Sequence, residues 1–213
     1  MAEIVEMLED FGGLAVKYDT AKNPFFRPIV VENLRKIRSC AAGKTLLKLI
    51  NDARPRHRAD FAVGVNVMVK PTTATYVQSG HKLDFSPGSA VKDRLVPSSA
   101  GAHVAPAGCP YYILGGSQNV AKDAAHTGDG QGSVCDMNFT NVQIITTKGE
   151  KSHPFIVLAH ELIHSYHCLY GIRKDDGEEE WTTGIGLYKD EPLCENVFRT
   201  QLAPELGLRL QYS

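Results

Sequence analysis

The feature that most constrains this chain is the segment His160-Glu161-Leu162-Ile163-His164, which follows the apolar residues 155–159. Residues four apart lie on the same face of a helix, so His160 and His164 can direct two imidazole nitrogens at one metal ion. Neutral imidazoles bind zinc at about 2.0–2.1 Å, and a neighbouring carboxylate such as Glu161 can take a proton from water. The segment therefore predicts a catalytic zinc site on a helix.

The residues around this segment strengthen the prediction. A bare HExxH sequence also occurs by chance in unrelated chains. Here it lies in an apolar helix, which is an unfavourable place for two histidines without polar partners. Pro154 suits the first turn of a helix, with Ser152 or His153 as the cap. We expect the helix to run from Pro154 to Tyr170 and to end at Gly171.

A third metal ligand must come from elsewhere in the chain. His167 would lie about 10 Å along the helix axis from His160, too far to share one tetrahedral ion. The metzincin pattern requires a histidine ten residues after the first one, and that position holds Tyr170. A carboxylate from the acidic run at 175–180 is the expected ligand. Such a run is also typical of a solvated helix start, so the spacing alone leaves the choice of glutamate open.

Length, charge and cysteine content restrict the class of protein. The 213 residues fit one domain, 1–213, and a net charge of −1 gives no indication of a nucleic-acid partner or an anionic membrane surface. No apolar run reaches the roughly 18 residues of a membrane span, and the first residues lack the layout of a Sec signal peptide. Five cysteines without a CxxC pair predict reduced thiols in a cytosolic environment: Cys40, Cys109, Cys135, Cys168 and Cys194.

The rest of the chain predicts a mixed α+β fold. Residues 1–30 are expected to form an N-terminal arm or a short helix with a loop, and residues 31–50 a helix that packs on the core. Alternating apolar residues at 61–69 and 73–77 predict two strands paired as a hairpin around Lys70-Pro71.

The segment before the metal helix is less regular. Residues 86–132 predict a loop-rich region with one short strand at 111–114, and His103 and His126 in it are expected to be surface residues. Residues 141–147 predict the strand that precedes the metal helix, with a turn at 148–150.

Two segments carry a family resemblance. HELIHSYHCLYG at 160–171 resembles the active-site helix of the clostridial neurotoxin light chains, and EEWTTG at 179–184 is similar to their following Glu-Glu-x-x-Thr segment. The resemblance implies that the second glutamate, Glu180, binds zinc together with His160 and His164.

The chain end extends this resemblance. The light chains carry an acidic residue followed later by Arg-x-x-Tyr, and here Glu195 precedes GLRLQY at 207–212. By resemblance, Glu195 and Arg209 support the site and Tyr212 stabilises the oxyanion.

With about half the length of a light chain, the sequence as a whole resembles another group. HELIH, EExxTxG, Glu195-Asn196 with Arg199, and GLRLQY together resemble the NleD-like zinc metalloprotease effectors, which include the XopG and HopH types and which Gram-negative pathogens inject by type III secretion. The resemblance implies a single zincin-like domain with a small mixed sheet, the HExxH helix and a following ligand-bearing helix. It also implies one zinc ion per chain and catalysis in which Glu161 activates the attacking water.

The same resemblance implies a secreted endopeptidase that acts as a monomer in the host cytoplasm. Its substrate would be a host signalling protein, such as a mitogen-activated protein kinase. Two alternatives stay open: a non-catalytic zinc-stabilised protein that binds a host factor, and a light-chain-like protease for vesicle-fusion proteins. Glu161 favours an enzyme, because a structural zinc site closes its fourth position and needs no base.

Overall fold

The computed structural model describes residues 3–72, 76–78, 81–83, 96–97, 102–107, 123–141, 144–145 and 151–211. The helices are α1 (Phe26–Arg38), α2 (Ala41–Asp52), α3 (Pro154–Leu169), α4 (Glu178–Thr183) and α5 (Glu195–Leu202), with 3₁₀ turns at Gly186–Tyr188 and Pro204–Leu206. The strands are β1 (Glu3–Met7), β2 (Gly13–Asp19), β3 (Val65–Pro71), β4 (Tyr76–Gln78), β5 (His81–Leu83), β6 (Val96–Pro97), β7 (Ala102–Pro106), β8 (Cys135–Phe139), β9 (Ile144–Ile145) and β10 (Lys151–Ser152).

A five-stranded mixed sheet forms one layer of the fold. Its strand order is β1-β2-β3-β8-β7. The inner pairs β2–β3 and β3–β8 are parallel, whereas β1 and β7 pair antiparallel with their neighbours. The prediction of an α+β fold with a small mixed sheet is confirmed.

The prediction of an N-terminal arm over residues 1–30 is wrong. Strands β1 and β2 form an antiparallel hairpin in the sheet, with Met7 opposite Ala15, and Phe26 already begins α1. The turn is closed by backbone bonds from Phe11 to Leu8 at 2.8 Å and from Leu8 to Leu14 at 3.0 Å. The apolar spacing that indicated a short helix therefore combines a strand with its turn.

The expected hairpin around Lys70-Pro71 is also not formed. Both residues lie inside β3 and stand opposite Asn138 and Phe139 of the parallel strand β8. Strand β4, which covers part of the second predicted strand, pairs with β5 instead. Parallel pairing joins segments that are distant in sequence, so a local apolar pattern does not reveal it.

Helices α1 and α2 replace the helical segment predicted over residues 31–50. The break falls at Cys40, whose backbone is extended and whose Sγ accepts a hydrogen bond from the amide of Gly43 at 3.3 Å. Both helices pack against α3, with Leu34, Ile37 and Ile50 fully buried. They cover one side of the helix that carries the HExxH segment.

Helix α3 runs from Pro154 to Leu169 with His153 as its N-cap, in agreement with the prediction. It packs against β7 and β8 as well as α1 and α2, and it is buried on nearly all sides. The segment after 123 holds its C-terminal end, because the amides of Gly132 and Ser133 donate to the carbonyls of Leu169 and Cys168 at 2.8 and 2.9 Å.

Several predictions fall partly or wholly outside the described residues. Outside the described residues lie the strand at 111–114, the turn at 148–150 and most of the loop-rich region 86–132. Of the strand predicted at 141–147, residues 141 and 144–145 are described, and Ile144–Ile145 form β9. Among the cysteines that the structure describes, all are free thiols, as expected. No helix in the described ranges has the length and apolar character needed to cross a membrane.

Candidate metal centre

Helices α3 and α4 bring three potential ligand atoms together. Nε2 of His160 lies 3.1 Å from Nε2 of His164, and Oε2 of Glu179 lies 3.2 Å from each of them. In a tetrahedral site with bonds of about 2.0–2.1 Å, neighbouring ligand atoms are about 3.3 Å apart. Two imidazoles and one carboxylate at this spacing fit three corners of a zinc site.

Glu180 is not part of this group, and the predicted ligand set needs correction. Glu180 is exposed, whereas Glu179 lies beside His160 and His164, in the place that the resemblance implies for Glu180. The acidic run contains the pattern Glu-Glu-x-x-Thr twice, once ending at Thr182 and once at Thr183. The fold matches the first of these registers, in which the second glutamate is Glu179.

Glu195 orients one of the two candidate histidine ligands from behind. Its Oε2 accepts a hydrogen bond from Nδ1 of His160 at 2.9 Å, which leaves Nε2 of His160 facing the metal position. The same carboxylate accepts from Nε of Arg199 at 2.6 Å and from Nη1 of Arg209 at 3.1 Å. The structure thus brings together the predicted residues Glu195 and Arg209 and adds Arg199, a fully buried guanidinium.

Glu178 orients the other candidate ligand, His164, in the same way. Its Oε1 accepts from Nδ1 of His164 and from Nδ1 of His167, each at 2.8 Å, and its Oε2 accepts from the amide of Lys174 at 3.0 Å. His167 is therefore a buried residue held by a carboxylate and lies outside the group formed by His160, His164 and Glu179. His164, His167 and Glu178 also lie close enough together to be a second candidate group. In this group, however, both histidines donate hydrogen bonds to the same oxygen, Oε1 of Glu178.

The buried charges of the centre shift one another's pKa values. Burial lowers the pKa of His160, but its bonds to Glu179 and Glu195 outweigh this effect and raise the pKa to about 9. The pKa of His164 is likewise raised, by Glu179 and Glu178, against the effect of burial. Burial raises the pKa of the carboxylates of Glu178, Glu179 and Glu195. The neighbouring histidines outweigh this effect and hold the pKa of each well below the usual range, with help from the arginines at Glu195.

Glu161 is the remaining carboxylate of the centre. Its side chain is only 8% exposed, and the charges of His164, His160 and Glu179 are close enough to act on it. Burial raises the pKa of Glu161, so its carboxylate binds a proton more readily than one in water does. A raised pKa makes a carboxylate a stronger base.

The C-terminal segment is anchored beside this centre up to Arg209. Asn196 of α5 accepts a hydrogen bond from the amide of Arg209 at 2.7 Å and donates to its carbonyl at 2.8 Å. Tyr212, the predicted oxyanion donor, lies outside the described residues. Its proposed role therefore stays a prediction.

Sequence reasoning missed the parts played by Glu178, Arg199 and Asn196. The pair Glu195 and Arg199 carried a signal, because residues four apart on a helix can form an ion pair. Glu178 belongs to a run of three glutamates, and the sequence does not show which of them faces α3, because that depends on the rotation of α4 about its axis. No local signal indicated that Asn196 would bind the backbone of a residue on the C-terminal segment.

The sequence and the fold were compared with those of known proteins. A family model described as an effector protein, peptidase M91, matches residues 15–191, which is most of the chain and includes the HExxH helix and α4. None of the curated proteins compared with this sequence matches it significantly.

Solved structures that resemble this one include light chains of botulinum neurotoxins. The type G light chain is 13% identical at a TM-score of 0.45, with 80% of this chain matched to 50% of that one. The catalytic domain of Clostridium botulinum neurotoxin serotype F is 18% identical at 0.49, covering 77% and 43%. The type D light chain is 14% identical at 0.48, covering 91% and 58%. This chain thus spans about half the length of the light chains it matches.

The extent of the family match is decisive, because it covers the helices that carry His160, His164 and Glu179 together with most of the sheet. The chain belongs to the peptidase M91 effector family.

Proposed function

We propose that this protein is a zinc-dependent endopeptidase that holds one zinc ion with His160, His164 and Glu179. The observation that carries the proposal is the convergence of these three side chains on one point, with the buried carboxylate of Glu161 beside it. A zinc ion, when bound, supplies a Lewis acid that acidifies water and polarises a carbonyl group.

The chain's own residues handle the proton. Glu161 accepts a proton from the attacking water on a carboxylate oxygen and delivers it to the leaving amine of the peptide. Burial favours the protonated form of this carboxylate, so the group can hold the proton between the two steps. The orienting carboxylates Glu178 and Glu195 keep the two histidines in the tautomer whose Nε2 faces the metal.

Arg209 and Tyr212 complete the proposed mechanism. Arg209 donates to Glu195, and its backbone is fixed by Asn196, so it anchors the segment that leads to Tyr212. We assign the Tyr212 hydroxyl the role of donor to the oxyanion that forms at the attacked carbonyl, as the resemblance implies.

Membership of an effector family supports a substrate in a host cell. We propose that the protein is secreted by a type III system, acts in the host cytoplasm as a monomer and cleaves a host signalling protein, with mitogen-activated protein kinases as the first candidates to test. The alternative of a non-catalytic zinc-stabilised binding protein offers no use for Glu161.

The experiment that tests this function is a survey of new protein N-termini in host-cell lysate by mass spectrometry. Lysate treated with zinc-loaded protein should gain a small set of termini. These termini should be lost after chelation and restored by added zinc. Identical sets of termini in lysates treated with loaded and chelated protein would contradict a zinc-dependent endopeptidase.

A further inference from the structure

Helix α4 supplies a proposed metal ligand and an orienting carboxylate, yet it is too short to hold its own position. It spans six residues, Glu178–Thr183, and lies between Gly177 and Gly184, both in the left-handed region with φ of 75° and 80°. Isolated helices below roughly 12–15 residues are marginal in water. The rotation of α4 about its axis must therefore be set by contacts with α3 and the neighbouring loops.

That rotation decides which glutamate reaches the metal position. Successive residues of a helix are separated by about 100° around the axis. A turn of α4 by one residue would present Glu178 or Glu180 where Glu179 now lies. The three consecutive glutamates offer no chemical preference among themselves, so the choice depends on which other side chains of α4 face α3.

Three residues of α4 form the face that packs on α3. Glu178 and Thr182 contact Nδ1 of His164 at 2.8 and 3.2 Å. Trp181 stacks on the ring of His167, with ring centroids 3.8 Å apart and planes inclined by 9°. These positions are three and four residues apart, the spacing of one helical face.

The other side of Trp181 is also occupied. The ammonium group of Lys174 lies 4.2 Å from the ring centroid of Trp181 and 4.2 Å from that of Tyr188, and it donates to the Tyr188 hydroxyl at 3.1 Å. Lys174 also binds Glu178 through its backbone amide at 3.0 Å. The indole is thus held between an imidazole and an ammonium group, arrangements that are both favourable for an aromatic ring.

We propose that Trp181, the sole tryptophan of the chain, is a positioning residue that fixes the rotation of α4 and so selects Glu179 as the third zinc ligand. The proposal rests on the proposed function, because it assumes the zinc site of His160, His164 and Glu179. Trp181 touches neither the metal position nor a substrate. It acts through the stack on His167, which is fixed to α3 and bonded to Glu178.

The test compares Trp181→Leu, which keeps apolar bulk without a ring, with Trp181→Phe, which keeps a ring that can stack. Zinc affinity is measured by competition with a chelator, and cobalt substitution reports the ligand geometry through its visible spectrum. We expect Trp181→Leu to weaken zinc binding about 10- to 100-fold, the range typical of lost support around a metal site, and Trp181→Phe to stay within about 1.5-fold of wild type. Glu180→Gln, on the exposed side of the same helix, is the matched control and should bind zinc as wild type does.

Folding is followed separately by the circular dichroism and thermal midpoint of the metal-free variants. If Trp181 has only a structural role, Trp181→Leu should lower the thermal midpoint and leave the zinc affinity of the folded fraction unchanged. That result would overturn the proposal. Equal losses of zinc affinity in Trp181→Leu and Trp181→Phe would also overturn it. If Trp181→Leu fails to fold, Lys174→Met removes the cation from the outer face of the stack and should weaken zinc binding about threefold, since cation–π contacts are modest. Unchanged affinity in Lys174→Met would then overturn the proposal. In the same assay, zinc binding by the wild type and its loss in His160→Ala establish the metal site. None of these measurements requires protease activity.

Discussion

Glu195 and His160 form a buried contact in the candidate metal centre, with Oε2 of the carboxylate 2.9 Å from Nδ1 of the imidazole. The carboxylate is only 2% exposed and also neutralises two guanidinium groups. A single anion thus orients the proposed metal ligand His160 and stabilises the packing of α5.

Replacing this anion should lower the stability of the fold. Glu195→Ala leaves Arg199 and Arg209 buried without it, and breaking a buried ion pair by removing one partner costs about 3–5 kcal/mol. Urea unfolding of the metal-free protein measures the change. Glu180→Ala, at an exposed position, should stay within about 0.5 kcal/mol of wild type and serves as the control. A loss below about 1 kcal/mol for Glu195→Ala would show that the network contributes little.

The assignment of the third ligand leads to a second prediction. Glu179→Ala removes a proposed zinc ligand and should weaken zinc binding by more than the roughly 10- to 100-fold expected for an orienting carboxylate such as Glu178. Glu180→Ala should leave the affinity unchanged. Zinc titrations of the purified variants give the order directly, and a larger loss for Glu180→Ala would restore the ligand set that the resemblance implied.

The local part of the candidate metal centre could be predicted from the sequence, because the placement of His160, Glu161 and His164 on one helix depends only on the helical period. The choice between Glu179 and Glu180 could not, since it depends on the rotation of a six-residue helix against α3. The pairing of β3 with β2 and β8 was out of reach for a related reason. Parallel strands meet across long stretches of chain, and a strand buried on both faces shows no clear alternation.

A third prediction concerns pH. The folded-state pKa of His160 without metal is about 9, above the ordinary value of about 6.5, because Glu179 and Glu195 outweigh burial. Protonated His160 therefore stabilises the metal-free protein fully below about pH 6.5, and this contribution is lost as the pH rises through 9. Zinc binding must displace the proton, so zinc affinity should increase over the same interval, by about tenfold per pH unit for each proton released.

Two measurements check this. The free energy of unfolding of metal-free protein should fall between pH 6.5 and 9, and the decrease should be smaller in His160→Ala. A zinc affinity that stays constant between pH 6 and 8 would contradict the proposed competition between zinc and protons.

Tyr212 gives a fourth prediction. If its hydroxyl donates to the oxyanion, Tyr212→Phe should lower kcat by about two orders of magnitude, the usual effect of losing one such donor. Zinc content and thermal midpoint should stay as in wild type, because only a hydroxyl is removed. Steady-state kinetics on a cleaved host substrate provide the test. Wild-type turnover in Tyr212→Phe would remove this residue from the mechanism.

Glu161 is proposed to act as the base of a zinc peptidase, and a glutamine at this position tests that role. Wild-type protein and Glu161→Gln, brought to the same zinc occupancy, are assayed on the same host substrate. The amide preserves the shape of the side chain but cannot accept a proton, so zinc binding should be unchanged and cleavage should fall by about 10²–10⁴-fold. Cleavage by Glu161→Gln at the wild-type rate, with zinc bound, would show that Glu161 is not the base.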